Sequence, residues 1–173
     1  MLAEWSNSMK VKSVDEDWES WPKTPGVYII RGEHAIQRIG GIDRTGILYI
    51  GKTKNLRNRI WQFLEANHTA SGFLWTHPTI ARLVIDPLIR TKDDVEDNLG
   101  KLKVMYSTPL KEKQLDNAER ILLFTYINKF GEAPPLNFSL PHRWKDSPTD
   151  KELINWAKVG IRVNHVGPDQ DDR

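Results

Sequence analysis

The chain contains no cysteine, which excludes disulfides, thiolate metal sites and cysteine nucleophiles in one step. It also lacks a secretory leader pattern, since Leu2 and Ala3 give way at once to Glu4 and a polar run. No apolar stretch approaches the length of a membrane span. A cytoplasmic protein with no membrane partner is therefore the expectation, and Asn67-His68-Thr69 and Asn137-Phe138-Ser139 read as chance sequon matches. Internal repeats and low-complexity tracts are absent as well. There is no large excess of either charge, because the formal net charge is +2 and the pI is about 8.8. Any nucleic-acid surface must then come from local clustering.

What is present is enough for one core. At 173 residues and 20.0 kDa, a single domain with modest extensions is expected. We divide the chain into an N-terminal extension, 1–21, that packs on the core, a central domain, 22–140, and a C-terminal helix with a polar tail, 141–173. The positive charge is concentrated. Between Arg44 and Phe63 there are five cationic residues and no acidic one, whereas residues 145–173 carry five cationic against six acidic. Charge alone would be read equally well as a solvated helix face.

The elements follow from pattern. Trp5, Trp18 and Trp21 read as lids, the last two packing on the first strand. After the Thr24-Pro25-Gly26 turn, Val27 to Arg31 is a strand, and residues 32–46 form a polar, glycine-rich hairpin connection to a second strand, Ile47 to Ile50. Two strands this close in sequence pair antiparallel most simply. Asn55 is a candidate N-cap for a helix whose apolar stripe is Leu56, Ile60, Phe63 and Leu64. A helix near 79–85 and an acidic loop over 91–98 follow. A third strand is expected over 102–107, and the longest helix from about Lys111 to Phe130, ended by Gly131. On that helix Glu119 shares a face with Leu115, Leu122 and Tyr126, so its carboxylate must meet a cation. A last helix is expected over 149–158. The fold class is α/β in the α+β sense: a small three-stranded antiparallel sheet flanked by helices.

The stretch from Ile47 to Phe63 organises the rest: a strand, a tight turn and a basic helix. Free backbone N–H groups at such a junction, beside clustered Lys and Arg, suit a phosphate. One reading is a P-loop nucleotide-binding protein, since Gly46, four residues, then Gly51-Lys52-Thr53 fit that expression. It would need a loop where Ile47-Leu48-Tyr49-Ile50 is a strand by every propensity, so it is set aside.

The other reading uses both strands. Gly26-Val27-Tyr28, then Tyr49-Ile50-Gly51 with Lys52, then Asn55-Leu56-Arg57-Asn58-Arg59, with Glu119 on a later helix and Asn137 in a Pro-Leu-Asn turn, together resemble the GIY-YIG nuclease superfamily. The similarity extends to the nuclease domain of bacterial nucleotide-excision repair, and it covers residues 22–140. It implies a GIY-YIG fold and a DNA endonuclease that hydrolyses phosphodiesters in one step with Mg2+ or Mn2+, double-stranded DNA being the partner. A self-contained nuclease that cuts both strands often works as a homodimer. In the family the first tyrosine is often assigned as the base that activates water and the second assists, roles that fall on Tyr28 and Tyr49.

The residue types make chemical sense on their own terms. Arg59 is a permanent forked cation for non-bridging oxygens. Glu119 suits a magnesium ion, which commonly takes only one or two protein carboxylates; its alternative is an ion pair with Arg59 or Arg120. A tyrosine with a pKa of about 10 needs neighbouring cations to act as base, and Lys52 is placed to supply one. Otherwise Tyr28 and Tyr49 are strand aromatics packing on the first helix. Asn137 would brace the site or serve as a turn residue. Lys54, Arg57, Arg44 and His68 are candidate nucleic-acid contacts. Two features depart from the family pattern. Phe63 stands where many relatives have a tyrosine or histidine, and the two tyrosines are twenty-one residues apart, about twice the usual spacing. A non-catalytic nucleic-acid-binding module on the same fold is the rival reading.

Overall fold

Val27-Tyr28-Ile29-Ile30 is an unbroken β-branched and aromatic run, a composition suited to a strand covered on both faces. In the computed structural model this run is the heart of β2 (Gly26–Arg31), and its first five residues are all buried. The residues described are 5–6, 9–10, 18–68, 102–108 and 114–137. Besides β2 they form β1 (Met9–Lys10), β3 (Ile36–Arg38), β4 (Gly41–Asp43), β5 (Ile47–Thr53), α1 (Leu56–His68), β6 (Lys103–Ser107) and α2 (Leu115–Phe130), with a 3-10 turn at Trp18–Ser20. The expected helices at 79–85 and 149–158 and the acidic loop lie outside the described residues.

The architecture is α+β around a small antiparallel sheet of order β1-β6-β2-β5. Three of its strands are those read from the sequence. The fourth, β1, comes from the N-terminal segment and pairs with β6, Met9 opposite Val104. Ser6 extends that cover, its N–H donating to the Tyr106 carbonyl at 2.8 Å. Trp5 packs against the core. Trp21 is buried, and its ring lies 4.9 Å from that of Tyr106 on β6, the neighbour of Tyr28 across the sheet.

Strand alternation sorts the side chains onto two faces. Val27, Ile29, Ile50 and Met105 cluster with Leu115, Ala118, Leu122, Leu123, Tyr126 and Phe130 of α2. Each fully buried Val, Ile, Leu, Met or Phe side chain among them contributes roughly 1.5–3 kcal/mol. On the Tyr28 face, Leu56 of α1 lies directly against Gly26.

Two details differ from the sequence reading. First, β5 continues through Gly51 and Lys52 to Thr53, so the turn before α1 falls at Lys54 and Asn55. Gly46 through Thr53 therefore contains no loop of the kind that wraps a nucleotide phosphate. Second, the N–H groups at the start of α1 are already engaged. Leu56 N–H donates to Thr24 O and Arg57 N–H to Pro22 O, both at 3.1 Å. Asn58 N–H donates to the Asn55 side chain at 3.1 Å, so Asn55 does cap the helix. The expected phosphate site at this helix N-terminus is thus filled by the chain's own carbonyls and cap.

The connection 32–46 is a second small sheet rather than a plain loop. β3 and β4 pair, Ile36 opposite Asp43, and the hairpin docks on the C-terminal end of α2. Gly40 N–H donates to Phe130 O at 2.8 Å, and Arg38 pairs with Glu132 at 3.1 Å. Asp43 is completely buried. Its carboxylate accepts from Thr45 N–H at 2.8 Å, from the Thr45 hydroxyl, from Ile47 N–H at 3.0 Å and from Tyr126 O–H at 2.8 Å. Burial first, then Asp43, pushes the Tyr126 phenol far above its ordinary pKa.

Candidate active site

Tyr28 stands opposite Gly51, and Tyr49 opposite Ile30, two residues along on the same face. Their rings are 5.9 Å apart, and the two phenols are hydrogen-bonded. Both pass over Gly51. A Cβ there would lie 2.5 Å from Tyr49 Cε1 and 2.8 Å from the Tyr28 hydroxyl, so any side chain at this position displaces the pair. The glycine has to be there for the phenols to meet.

The charges of the distant candidates Arg59 and Glu119 both bear on the Tyr28 phenol. Burial raises its pKa well above the usual value; Tyr49 and Glu119 raise it further and Arg59 opposes them. Arg59 from α1 and Glu119 from α2 are thus both within electrostatic reach of one oxygen. Arg59 Nε is buried and, among the described residues, has no hydrogen-bond partner. Leaving such a donor unsatisfied costs about 1–3 kcal/mol.

Lys52 behaves differently from the expectation. It faces away from the phenols, opposite Val27, and its Nζ lies 2.7 Å from Glu119 Oε2 and 2.8 Å from Asp116 Oδ1. Burial works against its charge, but the two carboxylates outweigh it and its pKa rises. Arg59, not Lys52, is therefore the cation that favours the Tyr28 phenolate, and burial outweighs even that. The cation that Glu119 requires is Lys52, not Arg59 or Arg120; the latter donates to Asn117 at 2.6 Å. Asp116 was missed in the sequence, although its spacing of three from Glu119 puts both on one helical face.

Asn137 braces the strand that carries the site. Its Oδ1 accepts from Ile50 N–H at 2.9 Å and its Nδ2 donates to Ile50 O at 2.7 Å. With Leu136 N–H donating to Leu48 O at 2.9 Å, the Pro-Leu-Asn segment covers the outer edge of β5, which would otherwise expose unpaired backbone groups. Ile50 lies between Tyr49 and Gly51, so this amide sets the backbone under both phenols.

The remaining candidates are more scattered. Lys54 is exposed in the turn before α1, and Arg44 is exposed between β4 and β5. Arg57 donates from Nε to Trp21 O at 2.8 Å, which gives it a part in fixing the entry to α1. His68 is the last residue of α1.

For a divalent ion the donor set is small. Among the described residues no three His, Cys, Asp or Glu side chains gather into a cage. Glu119, with a side chain 14% exposed and already facing a cation, offers the single carboxylate that magnesium commonly takes alongside water and phosphate. None of the described helices is long and apolar enough to cross a membrane. No family model, curated protein or solved structure matches the chain.

Proposed function

We propose that this protein is a metal-dependent DNA endonuclease built on a GIY-YIG core. The observation that carries the reading is the pairing of Tyr28 and Tyr49 on adjacent strands, with the charges of Arg59 and Glu119, from two helices, both bearing on the Tyr28 phenol. Hydrolysis of a phosphodiester needs an activated water, a cation for the pentavalent transition state and stabilisation of the leaving oxygen. Arg59 supplies the cation, and its Nε, without a hydrogen-bond partner among the described residues, is a donor that a phosphate oxygen would satisfy. Tyr28 takes the proton of the attacking water in its phenolate form, and Tyr49 holds the Tyr28 oxygen in place through their hydrogen bond. Glu119 would hold Mg2+ or Mn2+, which supplies Lewis-acid neutralisation of phosphate charge and polarised water. Duplex DNA is the proposed substrate, with exposed Lys54 and Arg44 as backbone contacts and two copies of the chain acting on the two strands.

Tyr28 is protonated at neutral pH and burial makes it harder still to ionise, so below its pKa the phenolate fraction rises tenfold with each pH unit. The same burial favours a second reading, a nucleic-acid-binding module without turnover. Nicking of supercoiled plasmid separates the two. The endonuclease converts plasmid in Mg2+ or Mn2+, stops in chelator and loses cleavage in Glu119→Gln. DNA and RNA left intact across a range of salts and divalent ions would refute it.

A further inference from the structure

Two carboxylate oxygens one helical turn apart, Glu119 Oε2 and Asp116 Oδ1, converge on the Lys52 ammonium at 2.7 and 2.8 Å. An ammonium this close to Glu119 occupies the space in which a divalent ion would approach the same oxygen, at about 2.0–2.1 Å for magnesium. Two cations on one oxygen repel each other strongly. The partners also differ in setting: the Glu119 side chain is 14% exposed and that of Asp116 is 87% exposed. Asp116 can therefore keep the ammonium in solvent after Glu119 has released it.

We propose that Lys52 is a built-in counter-ion that a divalent ion displaces from Glu119, with Asp116 as the positioning residue that holds the displaced ammonium. This rests on Glu119 being the metal-holding carboxylate. Metal affinity is then set by a competition inside the protein, and the apparent affinity is reduced by the fraction of molecules in which Lys52 covers Glu119.

The test is Mn2+ binding to the full chain without DNA, followed by calorimetry or the Mn2+ EPR signal. Lys52→Met should tighten Mn2+ binding roughly fivefold, and Lys52→Arg, which keeps the charge, should not. Asp116→Asn should weaken binding about threefold, because Glu119 then holds the ammonium alone. Adding Lys52→Met to Glu119→Gln should bring no tightening. Unchanged or weaker binding in Lys52→Met, with binding lost in Glu119→Gln, overturns this inference and leaves the metal role of Glu119 standing. Wild-type affinity in Glu119→Gln instead overturns the metal role itself. A measurement on the unaltered protein adds a check: the NMR signal of the Lys52 ammonium should shift on loading with Mg2+. A signal that stays in place with Mg2+ bound overturns the displacement.

Discussion

At the Ile47 end of β5, Asp43 is fully buried and its carboxylate accepts from Thr45, Ile47 and Tyr126. At the Gly51 end, Arg59 Nε is buried with no hydrogen-bond partner among the described residues, and Glu119 pairs with a lysine that is itself shared with Asp116. The Asp43 carboxylate is thus saturated, although Arg31 Nε, opposite Ile47, and Arg38 Nε in the hairpin are, like Arg59 Nε, buried without a hydrogen-bond partner among the described residues. A satisfied buried network rigidifies the fold around it. Unsatisfied groups cost stability and persist where a ligand can complete them. The Asp43 carboxylate holds geometry, and under the proposed nuclease function the Arg59 end would bond the substrate.

The sharpest way to break this contrast is a pair of truncations. Arg59→Ala should lower plasmid cleavage by roughly a thousandfold and leave unfolding free energy unchanged or raised by about 1–2 kcal/mol, because the unsatisfied buried Nε is removed. Its DNA affinity, read by anisotropy, should fall only modestly. Asp43→Ala should do the reverse: urea denaturation should show a loss of roughly 3–4 kcal/mol, because Ile47 N–H and Tyr126 O–H are left buried and unpaired. If Asp43→Ala keeps its stability, the two ends are not different in kind.

Two glycines sharpen the comparison further. A Cβ at Gly40 would meet the Phe130 backbone at 2.8 Å, whereas one at Gly51 would meet the Tyr28 and Tyr49 rings. Gly40→Ala should therefore cost about 2–3 kcal/mol of stability. Gly51→Ala should cost only about 1 kcal/mol, since rings can move, yet lower cleavage by roughly ten- to a hundredfold.

Smaller effects test the supports. Asn137→Ala should cost about 1–2 kcal/mol in thermal or urea unfolding by uncovering both polar groups of Ile50. The buried phenols predict alkaline sensitivity. Tyr28 and Tyr126 both have raised pKa values in the fold, so above pH ~10 the unfolded chain releases protons that the folded chain retains. Their contribution is complete below pH ~10 and falls above it by about 1.4 kcal/mol per pH unit for each phenol. Tyr126→Phe should flatten that decline when unfolding is followed against pH.

Much of this was legible from local pattern. The strand Val27 to Arg31, the Asn55 cap, Gly131 as the end of α2 and the inward face of Glu119 all follow from propensity and periodicity, which depend on near neighbours. The end of β5 was not legible, because Gly51 and Lys52 resemble a turn until β2 pairs with them. Neither was the hairpin of β3 and β4, whose docking depends on Phe130 and Glu132 far along the chain.

By itself the amino-acid sequence determined the residue types and their order: two strand tyrosines, an arginine on the first helix, a glutamate on the last, and enough apolar periodicity to build the elements. Only the tertiary structure decided which charges meet. Strand parity turned Lys52 away from the phenols and onto Glu119, closure of the helices left Arg59 as the cation near Tyr28, and burial made that tyrosine harder to ionise. Pairing and desolvation depend on contacts between residues distant in sequence, so local pattern does not determine them.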